Sequence, residues 1–261
     1  MRVALIQMDI ALGRPAENRA KAAELVRHAA VETDLVVLPE MWTTGYALTE
    51  LSGNLADRDG KPTEALLSEL ARECGIYLAG SRAVERGGKV YNLATVHGPD
   101  GRLLAEYAKV HLVPMMEEPL YLTAGDRFAM ADVDGVRCGL AVCYDLRFCE
   151  LFRTLALDGA QVMIIPAEWP AARLHHWRTL LQARAIENQC FVLGCNRVGS
   201  DGRNDFPGHS MVVDPWGNVL AEGDEDECIL RTTIDLAQVA EVRTRVPVFR
   251  DRRPDLYRVN E

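Results

Sequence analysis

Gly139-Leu140-Ala141-Val142-Cys143-Tyr144-Asp145-Leu146-Arg147-Phe148 passes from small apolar residues to polar ones at a single cysteine. The apolar half reads as a buried strand, and the polar half leads into a helical pattern over 150–158. A strand that hands the chain to a helix is the unit from which α/β folds are built. A thiol at that junction lies near backbone N–H groups and the positive end of a helix dipole, which favour a thiolate and an oxyanion. A lone cysteine is otherwise a small buried hydrophobe, so its meaning depends on the rest of the chain.

Two other segments have the same form. In Asp34-Leu35-Val36-Val37-Leu38-Pro39-Glu40-Met41-Trp42 an apolar run reads as a core strand whose ladder Pro39 ends. Glu40 therefore falls just past the C-terminal end of a strand, where α/β proteins place ligand and catalytic groups. Its apolar neighbours suit it to general base work by raising its pKa; a solvated loop carboxylate is the plainer alternative. In Tyr107-Ala108-Lys109-Val110-His111-Leu112 one lysine interrupts a semi-apolar stretch, and an exposed lysine is the plainer alternative there.

Outward from these segments, strand-like runs recur at 3–7, 35–38, 76–81, 93–97, 137–142, 162–165, 191–196 and 210–213. Helical patterns fill 15–31, 61–73, 150–158 and 173–188. Hairpin signals stand at Gly87-Gly88, Pro99-Asp100-Gly101 and Pro215-Trp216-Gly217-Asn218. Alternating helix and strand predicts α/β, and the hairpins predict mixed sheets. No repeat, linker or low-complexity tract divides the chain, so 1–261 is expected to be one domain.

With 261 residues, 48% of them hydrophobic, the chain can bury one substantial core. The net charge of −9 is spread along the sequence, and the acidic stretch 222–227 is expected to be a solvated hairpin end. No basic run or basic–aromatic alternation marks a nucleic-acid surface. No apolar run approaches the roughly 20 residues of a membrane span, and the N-terminus reads as a strand. A cytoplasmic protein is expected. The seven cysteines are scattered without C-x-x-C pairs, which argues against a disulfide framework or a zinc site. Cys149 is expected to pack at a helix start, and the five cysteines other than it and Cys143 to be inert core.

Glu40, Lys109 and Cys143, in that order and with this local wording, resemble the nitrilase superfamily of carbon–nitrogen hydrolases, in its omega-amidase-like branch. The resembling segments run from Ala4-Leu5-Ile6-Gln7-Met8 to Pro247-Val248-Phe249-Arg250 and so cover nearly the whole chain. The resemblance implies a four-layer α-β-β-α sandwich with two mixed sheets. It also implies a homodimer, with the segment 246–261 packing at its interface. It implies Cys143 as nucleophile, Glu40 as general base and Lys109 as stabiliser of the tetrahedral intermediate. A second glutamate is implied between lysine and cysteine; the tandem Glu117-Glu118 fits, and counting back from Gly125 favours Glu118. Neither metal nor organic cofactor is called for, only an amide substrate and water.

The substrate is expected to be a small omega-amide of a dicarboxylic acid, of the 2-oxoglutaramate and 2-oxosuccinamate class. Cys143-Tyr144-Asp145-Leu146-Arg147 resembles amidases, whereas true nitrilases usually carry tryptophan and glutamate after the cysteine. Arg147 is a candidate to grip a substrate carboxylate, the alternative being an ion pair with Asp145 or Glu150. Tyr46, Tyr144 and Trp169 are candidates to line the pocket. Glu168 would repel a substrate carboxylate unless it is protonated or turned away. His111, His175 and His176 are expected to be structural, and Asn196-Arg197 to edge the mouth. A hydrolase of another C–N bond (an N-carbamoyl amino acid, an aliphatic amide or a nitrile) and a non-catalytic scaffold are the competing readings.

Overall fold

The computed structural model describes residues 1–257, so the last four residues of the 246–261 segment lie outside the described residues. Along the chain run β1 (Arg2–Gln7), α1 (Pro15–Ala29), β2 (Leu35–Val37), β3 (Asp57–Arg58), α2 (Thr63–Cys74), β4 (Tyr77–Arg86), β5 (Lys89–His97) and β6 (Leu103–Ala108). Next come α3 (Glu118–Tyr121), β7 (Met130–Val133), β8 (Val136–Leu140), α4 (Cys149–Leu157), β9 (Val162–Ala167), α5 (Leu174–Asn188) and β10 (Phe191–Asn196). Last are β11 (Val198–Ser200), β12 (Asp205–Pro207), β13 (Met211–Val213), β14 (Val219–Glu222), β15 (Cys228–Thr233) and α6 (Ala237–Arg245).

Two large mixed sheets form the body. The first has the order β15-β1-β2-β4-β5-β6, with β3 beside β4, and the second has the order β14-β13-β10-β9-β8-β7. In each, a parallel centre (β1-β2-β4 and β8-β9-β10) is flanked by antiparallel strands. Period-2 alternation separates the layers. Val3, Leu5, Leu35 and Val37 join the core between the sheets, while Ala4, Ile6, Val36 and Leu38 face α1 and α2. On the far side α4 and α5 cover the second sheet with Leu151, Phe152, Leu155, Trp177 and Leu181. The α-β-β-α sandwich is thus built from alternation in the strands and one apolar stripe per helix. Gly194 lets α5 approach β10 closely, because a Cβ there would meet Leu181 and Trp177 at 2.8–2.9 Å.

Not every expectation holds. The acidic stretch 222–227 is not a hairpin end: it leaves β14 in the second sheet and enters β15 at the edge of the first, tying the layers together. Its exposed carboxylates are tolerated because the crossing runs over the rim. The helical pattern expected over 150–158 is α4, which begins at Cys149; between Cys143 and it, residues 143–147 make a 3-10 turn. Cys149 is exposed there rather than packed, with its thiol 3.5 Å from Glu150 Oε2. All seven cysteines are free thiols, with Cys138, Cys143, Cys190 and Cys195 buried and Cys74 and Cys228 only partly so.

Candidate active site

The ends of strands from both sheets converge on one buried cluster. Glu40 follows β2, Lys109 follows β6, Cys143 follows β8 and Glu168 follows β9. The backbones meet where the Glu40 N–H points at the Ala167 carbonyl across 3.5 Å.

Glu40 is fully buried and its carboxylate is held on both oxygens. Oε1 accepts from Lys109 Nζ at 2.8 Å and Asn92 Nδ2 at 2.7 Å; Oε2 accepts from the Glu168 backbone N–H at 2.8 Å. Lys109 Nζ also donates to Glu118 Oε1 at 2.8 Å. Glu118 Oε2 accepts from the Val113 N–H at 2.7 Å, which fixes the second carboxylate to the loop carrying the lysine. Glu117, by contrast, is exposed, with a left-handed φ of 62° and an ion pair to Arg203 at 3.7 Å. The tandem is thus resolved in favour of Glu118 as the glutamate beside Lys109. Gly125 keeps this loop in place: its N–H donates to the Lys109 carbonyl at 2.9 Å, and a Cβ there would meet the Ala108 carbonyl oxygen at 2.2 Å.

Tyr46 belongs to this cluster. Its hydroxyl lies 2.7 Å from Glu118 Oε1 and 3.1 Å from Glu40 Oε1. One phenolic proton serves one carboxylate at a time, and the shorter contact is to Glu118. Burial, then the charges of Glu118 and Glu40, push the phenol well above its ordinary pKa and keep it a donor. Tyr46 also lines a cavity of ≈ 650 Å³ with Leu12, Met115, Tyr121 and Arg173, and so joins the buried cluster to the cavity.

Cys143 sits in the first residue of the 3-10 turn with φ at 46°, a left-handed value that a non-glycine residue adopts only under constraint. The constraint is Asp145. Its Oδ2 accepts from the Val142 N–H and from Tyr107 OH, each at 2.8 Å. Its Oδ1 accepts from the His111 N–H at 3.1 Å and pairs with His111 Nδ1 at 2.8 Å. One buried carboxylate thereby ties the cysteine turn to the loop that carries Lys109. His111 stacks on Phe148 with ring centroids 3.6 Å apart, the structural part expected of it.

The electrostatics differ from expectation at the thiol. Burial, and then the charge of Glu40, raise Cys143 well above the ordinary thiol pKa, against the pull of Lys109. Beside the carboxylates of Glu40 and Glu118, which Lys109 only partly offsets, a thiolate would add further negative charge in a buried site. The resting group is a thiol, donating to the Glu168 carbonyl at 3.8 Å and within hydrogen-bond reach of Glu40. Burial disfavours charge on Lys109 too, but Glu118 and Glu40 outweigh it and hold the ammonium well above its usual pKa. Burial raises Glu118, with Lys109 opposing.

Around the cysteine, Arg147 lies over the Trp169 ring at 4.6 Å and the Tyr144 ring at 5.7 Å, with NH1 3.4 Å from His176 Nδ1. Among the described residues no carboxylate lies within ion-pair distance of Arg147; Asp145 is taken by His111, and Glu150 faces Cys149. Burial and the neighbouring Arg173 guanidinium lower the Arg147 pKa. Trp169 is almost fully buried and donates its indole N–H to the Arg173 carbonyl at 2.7 Å. Glu168 is turned away from Arg147, paired instead with Arg197 NH1 at 3.0 Å. Asn196 and Arg197 are fully buried rather than at the mouth.

Sequence reasoning named Glu40, Lys109, Glu118, Cys143, Tyr46, Tyr144, Arg147 and Trp169, and the structure brings them to one region. It did not name Asn92, Asp145 as the organiser of the turn, or Arg173. Asn92 lies inside β5, where its polarity in a buried strand was the available signal. Among the described residues no group of three or more His, Cys, Asp or Glu side chains is placed to hold a metal ion. No helix among them is long and apolar enough to cross a membrane.

Known proteins share this arrangement of chain. The chain is 47% identical over 256 residues to a 2-oxoglutaramate amidase of Bacillus subtilis, covering 98% of each. It is 38% identical over 273 residues to the omega-amidase NIT2 of Homo sapiens, covering 99% of this chain and 97% of the relative. The structure superposes with a TM-score of 0.91 on a CN-hydrolase superfamily protein from Xanthomonas campestris with an arsenic adduct in its active site. The two are 34% identical, and the match covers 100% and 99% of the two chains. The carbon-nitrogen hydrolase family pattern matches residues 2–244, and the chain belongs to that family.

Proposed function

We propose that this protein hydrolyses a small omega-amide of a dicarboxylic acid, of the 2-oxoglutaramate class, to the acid and ammonia through a thioester on Cys143. The observation that carries the reaction type is the buried set of Glu40, Lys109 and Glu118 beside Cys143, whose thiol is raised above its ordinary pKa by burial. Such a thiol needs a base, because each pKa unit it must be lowered costs about 1.4 kcal/mol.

Glu40 takes the thiol proton as Sγ attacks the amide carbon, and the carbonyl electrons move onto oxygen. The Lys109 ammonium and the Tyr144 N–H, at the start of a helical turn where N–H groups lack intrahelical partners, hold that oxyanion. Each such donor is worth on the order of 3 kcal/mol. Collapse breaks the C–N bond, Glu40 returns the proton to nitrogen, and ammonia leaves. Water then attacks the thioester while Glu40 takes its proton. The C–S bond breaks, and the proton ends on the Cys143 sulfur. Glu118 and Tyr46 keep Lys109 and Glu40 in register through both halves.

The carboxylate preference is supported by Arg147, a guanidinium stacked on Trp169 beside the cysteine, with Arg173 close by on the cavity wall. Two neighbouring guanidiniums repel one another, and a substrate carboxylate between them relieves that repulsion. The named activities of the Bacillus and human relatives point to the same substrate class.

A homodimer in the cytoplasm completes the proposal. Seven free thiols suit a reducing compartment. The exposed Leu157, Ile186, Trp216 and Val246 give the second helix layer an apolar face to cover. Ammonia release from 2-oxoglutaramate, butyramide, an aliphatic nitrile and an N-carbamoyl amino acid tests the reading. The omega-amide should exceed the others in kcat/KM by about 10² or more. Preference for the nitrile or the carbamoyl compound would overturn it.

A further inference from the structure

The backbone of residues 168 and 169 is held by an arrangement that the chemistry above does not use. Glu168 donates its backbone N–H to Glu40 Oε2 at 2.8 Å and accepts the Cys143 thiol at its carbonyl, so the backbone of this one residue touches both base and nucleophile. Its side chain is fully buried and ends on Arg197, whose NH1 lies 3.0 Å from Oε2. Arg197 is itself fully buried and pinned by the Val198 carbonyl at 3.0 Å, the Ile10 carbonyl at 2.9 Å and Asp9 Oδ1 at 2.8 Å. The residue before Arg197 grips the backbone of the residue after Glu168: Asn196 Oδ1 accepts from the Trp169 N–H at 2.7 Å, and Asn196 Nδ2 donates to the Trp169 carbonyl at 3.2 Å. Asn196 and Ala167 are register partners on adjacent parallel strands, so the dipeptide 196–197 at one strand end clamps the dipeptide 168–169 at the next.

We infer that the buried Arg197–Glu168 pair is a positioning device for the general base: it fixes the Glu168 peptide so that its N–H keeps Glu40 Oε2 aligned, leaving Oε1 to Lys109 and Asn92. A buried ion pair is costly to assemble and is weak evidence for stability as such. Burial pushes the Glu168 carboxyl up to about 8, so near neutral pH it is largely uncharged and still accepts from Arg197. The pair therefore anchors the peptide without placing a full third carboxylate charge beside Glu40 and Glu118. Glu168 and Arg197 act through Glu40 and are positioning residues.

The inference rests on Glu40 as the base for Cys143, and its test needs no amide substrate. The rate of Cys143 alkylation by iodoacetamide, followed on the Cys143 peptide by mass spectrometry, is measured against pH for wild type, Arg197→Met, Glu168→Leu and Glu168→Gln. Loss of the N–H bond frees Glu40 Oε2 from its one backbone donor, so the base no longer stays aligned on the thiol. Arg197→Met and Glu168→Leu should each slow alkylation at least tenfold across the neutral range. Where an amide is turned over, kcat should fall by a similar factor with KM within twofold. Glu168→Gln keeps an acceptor for Arg197 and should recover most of the loss. If Arg197→Met does not fold, Glu168→Leu carries the same reading, because Arg197 keeps Asp9 as its counter-charge. Folded variants with wild-type alkylation profiles and only a lowered melting temperature would overturn the inference. Inactivity of wild type on omega-amides would overturn the substrate reading and leave this test intact.

Discussion

Lys109 Nζ lies 2.8 Å from Glu118 Oε1, with both side chains fully buried. The neighbouring Glu117 turns outward because its backbone is left-handed, so one residue of register separates a site carboxylate from a surface one. Glu118→Gln should cut kcat about 10²-fold, the scale of losing one well-placed oxyanion stabiliser. Glu117→Gln should stay within about twofold, as surface substitutions do. Ammonia release by the two variants, with circular dichroism to establish folding, checks the pair.

Arg147→Lys keeps the charge and loses the planar fork that stacks on Trp169. Charge-assisted hydrogen bonds are worth about 1.5–3 kcal/mol, so KM for a carboxylate-bearing amide should rise by roughly 10- to 100-fold. Alkylation of Cys143 should be unchanged. Equal loss on butyramide, which has no carboxylate, would contradict the role given to Arg147.

Glu168 gives stability a pH dependence of defined sign. Burial favours its neutral form, so the folded chain holds this proton more tightly than the unfolded one, whose carboxyl titrates near 4.3. The contribution is complete below about pH 4.3 and is lost as pH rises to about 8. It amounts to a few kcal/mol at most. Glu168→Gln should flatten the fall in melting temperature between pH 5.5 and 8.5 (calorimetry at the two values); parallel slopes would contradict this.

Asp145→Asn replaces an acceptor-only carboxylate by an amide with one acceptor oxygen, against four donors at present. Leaving buried donors unpaired costs about 1–3 kcal/mol. Because Asp145 holds Cys143 at a positive φ, kcat should fall as well. Denaturant unfolding and turnover measured together check the link between the two losses.

Much of the fold was legible because its central strands are locally unambiguous. Phe191–Asn196 was read to the residue, an apolar run buried on both faces. Leu103–Ala108 and Cys228–Thr233 were missed, since they are sheet edges with mixed burial and little apolar alternation. The segment 222–227 looked like a hairpin end because local sequence cannot tell a turn within one sheet from a crossing between two. Of the site, Glu40 and Cys143 stood out because each ends an apolar run, and Lys109 because it interrupts a semi-apolar stretch. The raised thiol was not legible: it depends on burial between the sheets and on Glu40, 103 residues earlier in the numbering, arriving beside Cys143. The Glu168–Arg197 pair likewise exists only once β9 and β10 lie side by side.

Ammonia release from 2-oxoglutaramate by wild type and by Cys143→Ala, side by side near neutral pH, tests the central claim most directly. The account predicts steady turnover by wild type and none above the enzyme-free blank for the variant, with both proteins folded. Turnover retained without Cys143, or a wild type that leaves this amide untouched while releasing ammonia from a nitrile, would contradict it.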